Sequence, residues 1–234
     1  MRHLSFTLDW QTYYLLMFAV LAFTLWAQFG VQSAFKKYNQ VSNARHLTGA
    51  DAARRILDAN GLYHVQIEHV SGRLSDHYDP RSNVIRLSDA VYQTSSIAAV
   101  GVAAHEAGHA VQYATGYAPV KLRTAILPVT QFASGTSIFL FFIGFLFSQP
   151  LALLGFALYL VVAFFQFVTL PVEFNASARA LQTLDGLGIL DSEELNGAKK
   201  VLRAAAMTYV AAMAVSLLQM LRMILLLNSR NNRR

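Results

Sequence analysis

The sequence predicts a mainly α-helical, polytopic membrane protein with about four transmembrane helices and a small α/β element. Three observations predict it. Apolar residues make up 55% of the 234 positions and charged residues only 14%, against roughly 25% charged in an average soluble domain. The apolar residues are concentrated: no charged residue falls between Arg123 and Glu173, a gap far longer than the about 20 residues that one helical crossing needs. The polar remainder forms two stretches, 32–123 and 171–203, and the first carries the alternation of short strands. This composition excludes a disordered chain and a collagen-like repeat, and it argues against an ordinary soluble enzyme, since too little charge is left to cover the surface. The chain has no cysteine, which excludes a disulfide framework and any thiolate ligand or nucleophile.

Residues 1–35 carry the first span. Tyr13–Val31 is free of charge, Trp10, Tyr13 and Tyr14 stand where an aromatic belt would lie, and Lys36 and Lys37 follow the other end. The apolar run is long for a signal peptide and no small-x-small cleavage site follows it, so the span is read as uncleaved. Residues 36–126 are the larger polar unit. Thr48 is a candidate N-cap for a helix over Gly49–Ala59 with Ile56 and Leu57 inward, and Asn60-Gly61 stops it. Val65–Val70 alternates as a half-buried strand, Asp79–Asn83 has turn chemistry, and Val84–Leu87 alternates again. Thr94-Ser95-Ser96 starts a helix over Ile97–Thr115 that Gly116 ends.

Residues 127–170 read as two spans, 129–147 and 151–170, because Ser148-Gln149-Pro150 interrupts the run and proline restarts a helix. Residues 171–203 follow, with Pro171 placed for a first helical turn. Residues 204–234 hold a fourth span, Ala204–Leu227, and a basic tail. The alternative is an amphipathic helix lying on the membrane. Arg222, inside this span, must face protein, water or a headgroup. Lys36, Lys37, Arg45, Lys121, Arg123, Arg179, Lys199, Lys200 and Arg203 collect on the side of the two polar regions. By the positive-inside rule this puts them on the cytoplasmic side, the expected location being a bacterial inner membrane. Arg2, Arg230, Arg233 and Arg234 count the other way. Anionic lipid and topology account for the net charge of +6. No stacking platform or basic helix points to nucleic acid.

The chemistry lies on the helix 97–115. His105-Glu106-Ala107-Gly108-His109 is an H-E-x-x-H motif. Residues four apart share a helix face, so both imidazoles can reach one ion, while the intervening Glu stands close enough to take a proton from a water beside it. Zn²⁺ suits imidazole and carboxylate donors, and a catalytic zinc site takes three protein ligands and keeps one position open. Small Ala and Gly at the x positions permit close packing, and the strand 84–87 just upstream is suited to pairing with an extended peptide. A Glu and two His on an otherwise apolar helix are costly without a partner. The third ligand must come from elsewhere. Glu173 is the first candidate and shares a face with Ser177; Asp185, in Leu184-Asp185-Gly186, is the second. Asn175, His64, His69 and His77 are weaker ones.

Ala103–Gln112, preceded by Tyr78-Asp79-Pro80, Asn83-Val84-Ile85 and Leu87-Ser88, resembles the YugP-type neutral zinc metallopeptidases of bacterial membranes, and Pro171–Ser177 with Arg179-Ala180 is similar to their second signature. The resemblance covers nearly the whole chain. It implies a zincin-like unit of gluzincin type in which His105, His109 and Glu173 hold Zn²⁺ and Glu106 is the general base. More distantly the chain looks like HtpX-type and CAAX-prenyl-protease-type metalloproteases, whose second signature has an Asp four residues after the Glu; Ser177 stands there instead. Leu184-Asp185-Gly186 looks like the motif of site-2-type intramembrane proteases, but the polar ends of the His helix make a poor crossing, so Glu173 is preferred. The expected activity is hydrolysis of peptide or protein substrates at the lipid bilayer, with Arg179, His77 or Tyr78 as candidate donors to the oxyanion. The rival readings are a site-2-type protease using Asp185, an inactive scaffold with a zinc site, and a small transporter resting on Gln219 and Arg222.

Overall fold

The computed structural model describes residues 10–72 and 75–231. The lead 1–9 and the tail residues Arg233 and Arg234, which entered the topology argument, lie outside the described residues. Among the described residues six helices and three strands follow one another: α1 Trp10–Tyr38, α2 Gly49–Ala59, β1 Gln66–Val70, β2 His77–Asp79, β3 Val84–Ser88, α3 Ile97–Ala114, α4 Ala118–Phe147, α5 Gln149–Gly186 and α6 Ser192–Asn231. The molecule is therefore mainly helical with one small sheet. Four of its helices, α1, α4, α5 and α6, are long and apolar enough to cross a membrane.

The chain forms two units. Unit 1 takes residues up to Trp26, Arg123–Val168 and Tyr209 onward. Its helices pack closely through glycines. A Cβ on Gly144 would collide with the backbone of Leu151 and Ala152, and one on Gly155 with the backbone of Phe141. Close backbone approach is how helices associate where no hydrophobic driving force exists between them. Phe141, Ala152, Tyr159 and Met223 form the buried centre. Ser148 alone separates α4 from α5; its N–H donates to Gly144 O at 2.8 Å and its carbonyl accepts from Ala152 N at 3.1 Å. Leu15, Phe18, Leu21, Trp26 and other large apolar side chains of α1 are exposed, as a lipid-facing surface requires.

Unit 2 takes Ala27–Leu122 and Thr169–Thr208. Its core gathers Ile56 and Leu57 from α2, Ile85 and Leu87 from β3, Val100 from α3, Leu184 from α5 and Leu202 from α6. Thr48 caps α2: its hydroxyl accepts from Asp51 N while the Asp51 carboxylate accepts from Thr48 N, a reciprocal capping box. Asp191 and Glu194 build the same device at the start of α6, and Glu194 also accepts from Ala44 N at 2.6 Å. Gly61 and Gly116, at φ +70 and +66, occupy the left-handed conformation that ends α2 and α3.

The sheet order is β1-β3-β2. β1 is parallel to β3, with Ile67 opposite Ile85, and β2 is antiparallel to it, with Tyr78 opposite Ile85. Two expectations change. Val84–Ser88 is the central strand, buried on both faces, so it has no free edge to offer a peptide; β1 and β2 are the edges. Pro171 does not open a helix but lies inside α5. It withholds one N–H from the carbonyl of Phe167, a loss that a helix of 38 residues tolerates when its other turns are held by packing.

Candidate metal centre

The site lies within unit 2, between α3 and α5. The α3 sequence is Ala-rich and buried almost throughout, which suits a helix enclosed by neighbours. Gly108 sets the distance to α5, since a Cβ there would stand 2.6 Å from Ala176 O, inside any permitted contact. The backbones can thus approach until side chains of one helix reach those of the other.

Three donor atoms meet at this approach. His105 Nε2 lies 3.2 Å and His109 Nε2 3.6 Å from Glu173 Oε2, and the donors of all three residues fall within 4.8 Å of one another. The two imidazole centroids are 4.7 Å apart. Zinc–nitrogen and zinc–oxygen bonds of about 2.1 Å in a tetrahedron place neighbouring ligand atoms about 3.4 Å apart. The observed spacings bracket that edge, so the donor set fits a zinc ion in both chemistry and size. Among the described residues no other group of three such side chains converges.

The tautomers follow from hydrogen-bonding chemistry. Arg179 can only donate, and its Nε–H donates to Asn175 Oδ1 at 2.8 Å. The same oxygen accepts from Gln112 Nε2 at 3.0 Å, and Val172 O accepts from that nitrogen at 2.8 Å. Two acceptors on one side fix the Gln112 amide, leaving its Oε1 3.0 Å from His109 Nδ1. His109 must then carry its proton on Nδ1 and keep the lone pair of Nε2 for the shared centre. His105 Nδ1 lies 3.1 Å from Ser177 Oγ, a hydroxyl able to accept the Nδ1 proton and leave Nε2 for the same centre. Gln112 is fully buried, and this arrangement was the part of the site not legible in the sequence. Its one signal is a glutamine three residues after a histidine on an apolar helix.

Electrostatics agree with a concentrated centre. Burial pushes the Glu173 carboxyl up, but the His105 and His109 imidazoles beside it prevail and hold it far below the ordinary carboxylate range. Burial pushes His109 down, and Glu173 and Glu106 more than reverse this, leaving it above an ordinary imidazole. Glu106 stands to one side, its Oε2 accepting from Tyr78 N of β2 at 3.0 Å. The short strand β2 thus touches the site directly. Tyr78 also packs edge-on against Tyr113 of α3 at 5.5 Å.

The other candidates are placed elsewhere. Asp185 is exposed near the end of α5 and does not join the three donors. Asn175 supports Gln112 rather than facing the centre. His69 pairs with Asp89 at 2.6 Å, His77 Nδ1 lies 2.8 Å from Ser75 O, and His64 is exposed. Among the suggested oxyanion donors, Tyr78 donates its hydroxyl to Asn83, and Arg179 is held by Asn175 with its guanidinium over the Tyr117 ring.

Residues 13–228 match the profile of a family described as "Putative neutral zinc metallopeptidase". The chain is also similar to the "Putative membrane protease YugP" of Bacillus subtilis (strain 168), at 50% identity over 218 residues, which is 92% of this chain and 97% of that protein. No solved structure matches.

Proposed function

Since the chain belongs to this neutral zinc metallopeptidase family, we propose that it is an integral-membrane zinc endopeptidase with His105, His109 and Glu173 as ligands and Glu106 as general base. The observation that carries the reading is the convergence of the three donors within 4.8 Å. A zinc ion in this set supplies Lewis acidity, which acidifies water and polarises a carbonyl. Glu106 accepts the proton of the attacking water on its carboxylate and delivers it to the amide nitrogen as the peptide bond breaks. The Tyr78 amide orients that carboxylate. Gln112 and Ser177 keep the two imidazoles in the ligating tautomer.

Glu173 follows the apolar run of α5 by only three positions, since that run ends at Leu170. This supports peptide or protein substrates presented at the lipid surface. The distribution of Lys and Arg supports a cytoplasmic active side in a bacterial inner membrane.

The test is metal content and cleavage of an unfolded protein, measured side by side on detergent-purified variants. Glu106→Gln is expected to keep zinc and lose roughly 10²- to 10⁴-fold in hydrolysis, and Glu173→Ala to lose zinc, while Asp185→Ala retains both. Zinc loss in Asp185→Ala with retention in Glu173→Ala would establish the site-2-type arrangement instead. Undiminished cleavage by Glu106→Gln would overturn the base assignment, and a zinc-loaded wild type that cleaves nothing would favour a scaffold.

A further inference from the structure

Unit 1 holds a cavity of about 350 Å³, walled by Trp10, Tyr13 and Tyr14 of α1, Phe142 of α4, and Arg222 and Leu226 of α6. Its one charged wall residue is Arg222. The guanidinium stands over the Phe142 ring, 5.3 Å from the centroid. A ring attracts a cation through its face but offers no lone pair to an N–H. Among the described residues no carboxylate or carbonyl accepts from Arg222. Arg230, two turns further along the same helix, is different. Its Nη1 donates to Gly144 O at 2.9 Å and Phe145 O at 2.7 Å, closing the end of α4. Of the two arginines that α6 places in unit 1, Arg230 is thus satisfied by protein, and Arg222 presents its N–H donors to an open cavity.

The surroundings specify what such a cavity takes. Trp10, Tyr13 and Tyr14 contact one another, with centroids 5.5 to 6.3 Å apart. Among the described residues the Tyr13 and Tyr14 hydroxyls make no hydrogen bond. Tryptophan and tyrosine gather at the level of lipid headgroups. Trp10 is the first residue of α1, Phe142 lies five residues before the end of α4 and Arg222 nine before the end of α6. At about 1.5 Å of rise per residue these positions lie within roughly 14 Å of their helix ends, a depth from which an arginine side chain reaches the interface. The guanidinium fork matches two oxygens of a phosphate, and Phe142 and Leu226 provide apolar contact for the glycerol and acyl carbons attached to it.

We propose that this cavity binds the headgroup phosphate of an anionic phospholipid, with Arg222 as the ionic anchor and the Tyr13 and Tyr14 hydroxyls as further donors. A free phosphate ion would find the same guanidinium but nothing for the aromatic and aliphatic walls to cover. The proposal rests on α1, α4 and α6 being membrane spans, and it is independent of the metal centre.

The full-length protein is exchanged into mixed micelles containing equal phosphatidylglycerol and phosphatidylcholine, and retained lipid is counted by native mass spectrometry. Wild type is expected to retain phosphatidylglycerol at least fivefold over phosphatidylcholine. Arg222→Gln is expected to remove that preference, Arg222→Lys to keep part of it, and Arg203→Gln, on the exposed face of unit 2, to leave it whole. Helicity by circular dichroism and a monodisperse elution show that each variant is folded. Leu226→Trp, which fills the cavity without touching the charge, is a second variant and should also abolish retention. No preference in wild type, or an unchanged one in folded Arg222→Gln and Leu226→Trp, overturns the proposal. Inorganic phosphate displacing the lipid at low millimolar concentration overturns the lipid assignment in favour of a free-anion site. Failure of the protein to partition into membranes at all would instead strike the reading of the spans.

Discussion

At the scale of the residue, the feature with most consequence is a neutral amide. The histidines that face the centre are backed by Gln112 and Ser177, neither of which carries charge. Outer partners of this kind tune ligand orientation and basicity. Gln112→Leu should lower zinc affinity about 10- to 100-fold, measured by competition with a chromogenic chelator. Gln112→Glu, which keeps an acceptor for His109 Nδ1–H but opposes its other oxygen to Val172 O and Asn175 Oδ1, should recover only part of that loss, whereas general loss of packing would recover none. The two histidines of the candidate centre and Glu106 were legible in the sequence because their spacing is the helix repeat. Glu173 was legible only as a candidate, since it lies 64 positions from His109 and only the tertiary fold brings it, and not Asp185, to the two histidines. The role of Gln112 was not legible, because it depends on a carbonyl, Val172 O, that no side-chain pattern advertises.

At the scale of the element, the site is made by how closely two helices approach. Gly108→Ala adds one methyl group against Ala176 O. Overpacking of this kind costs about 1–3 kcal/mol, and here it drives α3 from α5, the pair that carries the three converging donors. Zinc affinity should therefore fall at least tenfold in a variant that alters no ligand, read by the same chelator competition. A lower thermal midpoint should accompany it. The α2 cap makes a separate, pH-dependent prediction. The Thr48 hydroxyl and amide hold the Asp51 carboxyl below its usual range. A depressed carboxyl stabilises the fold above its unfolded pKa of about 3.9 and loses that contribution as pH falls through the folded value. Asp51→Asn should lower the thermal midpoint at pH 7 and flatten its decline below pH 4. Helix boundaries such as Gly49–Ala59 were legible because caps and stops are local chemistry. β2 was not, since His77-Tyr78-Asp79 is too short to show a period and is a strand only because β3 lies beside it. Pro171 misled for the complementary reason: proline marks a helix start by local preference, and packing along α5 overrides it.

At the scale of the whole molecule, both units are threaded by α1 and by the three longest helices, α4, α5 and α6. Their lengths of 30, 38 and 40 residues correspond to about 45–60 Å of helix, well beyond the roughly 30 Å of a hydrocarbon core. The excess of α5 carries Glu173. Three residues beyond Leu170 is about 4.5 Å of rise, so a susceptible bond should be cut best close to a membrane anchor. Model substrates with one transmembrane helix and a cleavable segment after spacers of 5, 15 and 30 flexible residues should be cleaved fastest at the shortest spacer; a rate indifferent to spacer length would sink the idea. Three of the four long apolar helices were legible from charge-free stretches, and the fourth despite Arg222, because a bilayer imposes its thickness on composition. The sheet order was not, because two alternating segments do not reveal that a third strand will cover one of their edges.

The link between α4 and α5 is a single serine, with both its backbone groups already engaged and Arg230 closing the last carbonyls of α4. A protease that reaches this turn finds no loose backbone there to grip, and an antibody finds no loop to recognise. An epitope inserted at Ser148 would prise the hairpin open rather than decorate it, so reporters of this protein belong in other places.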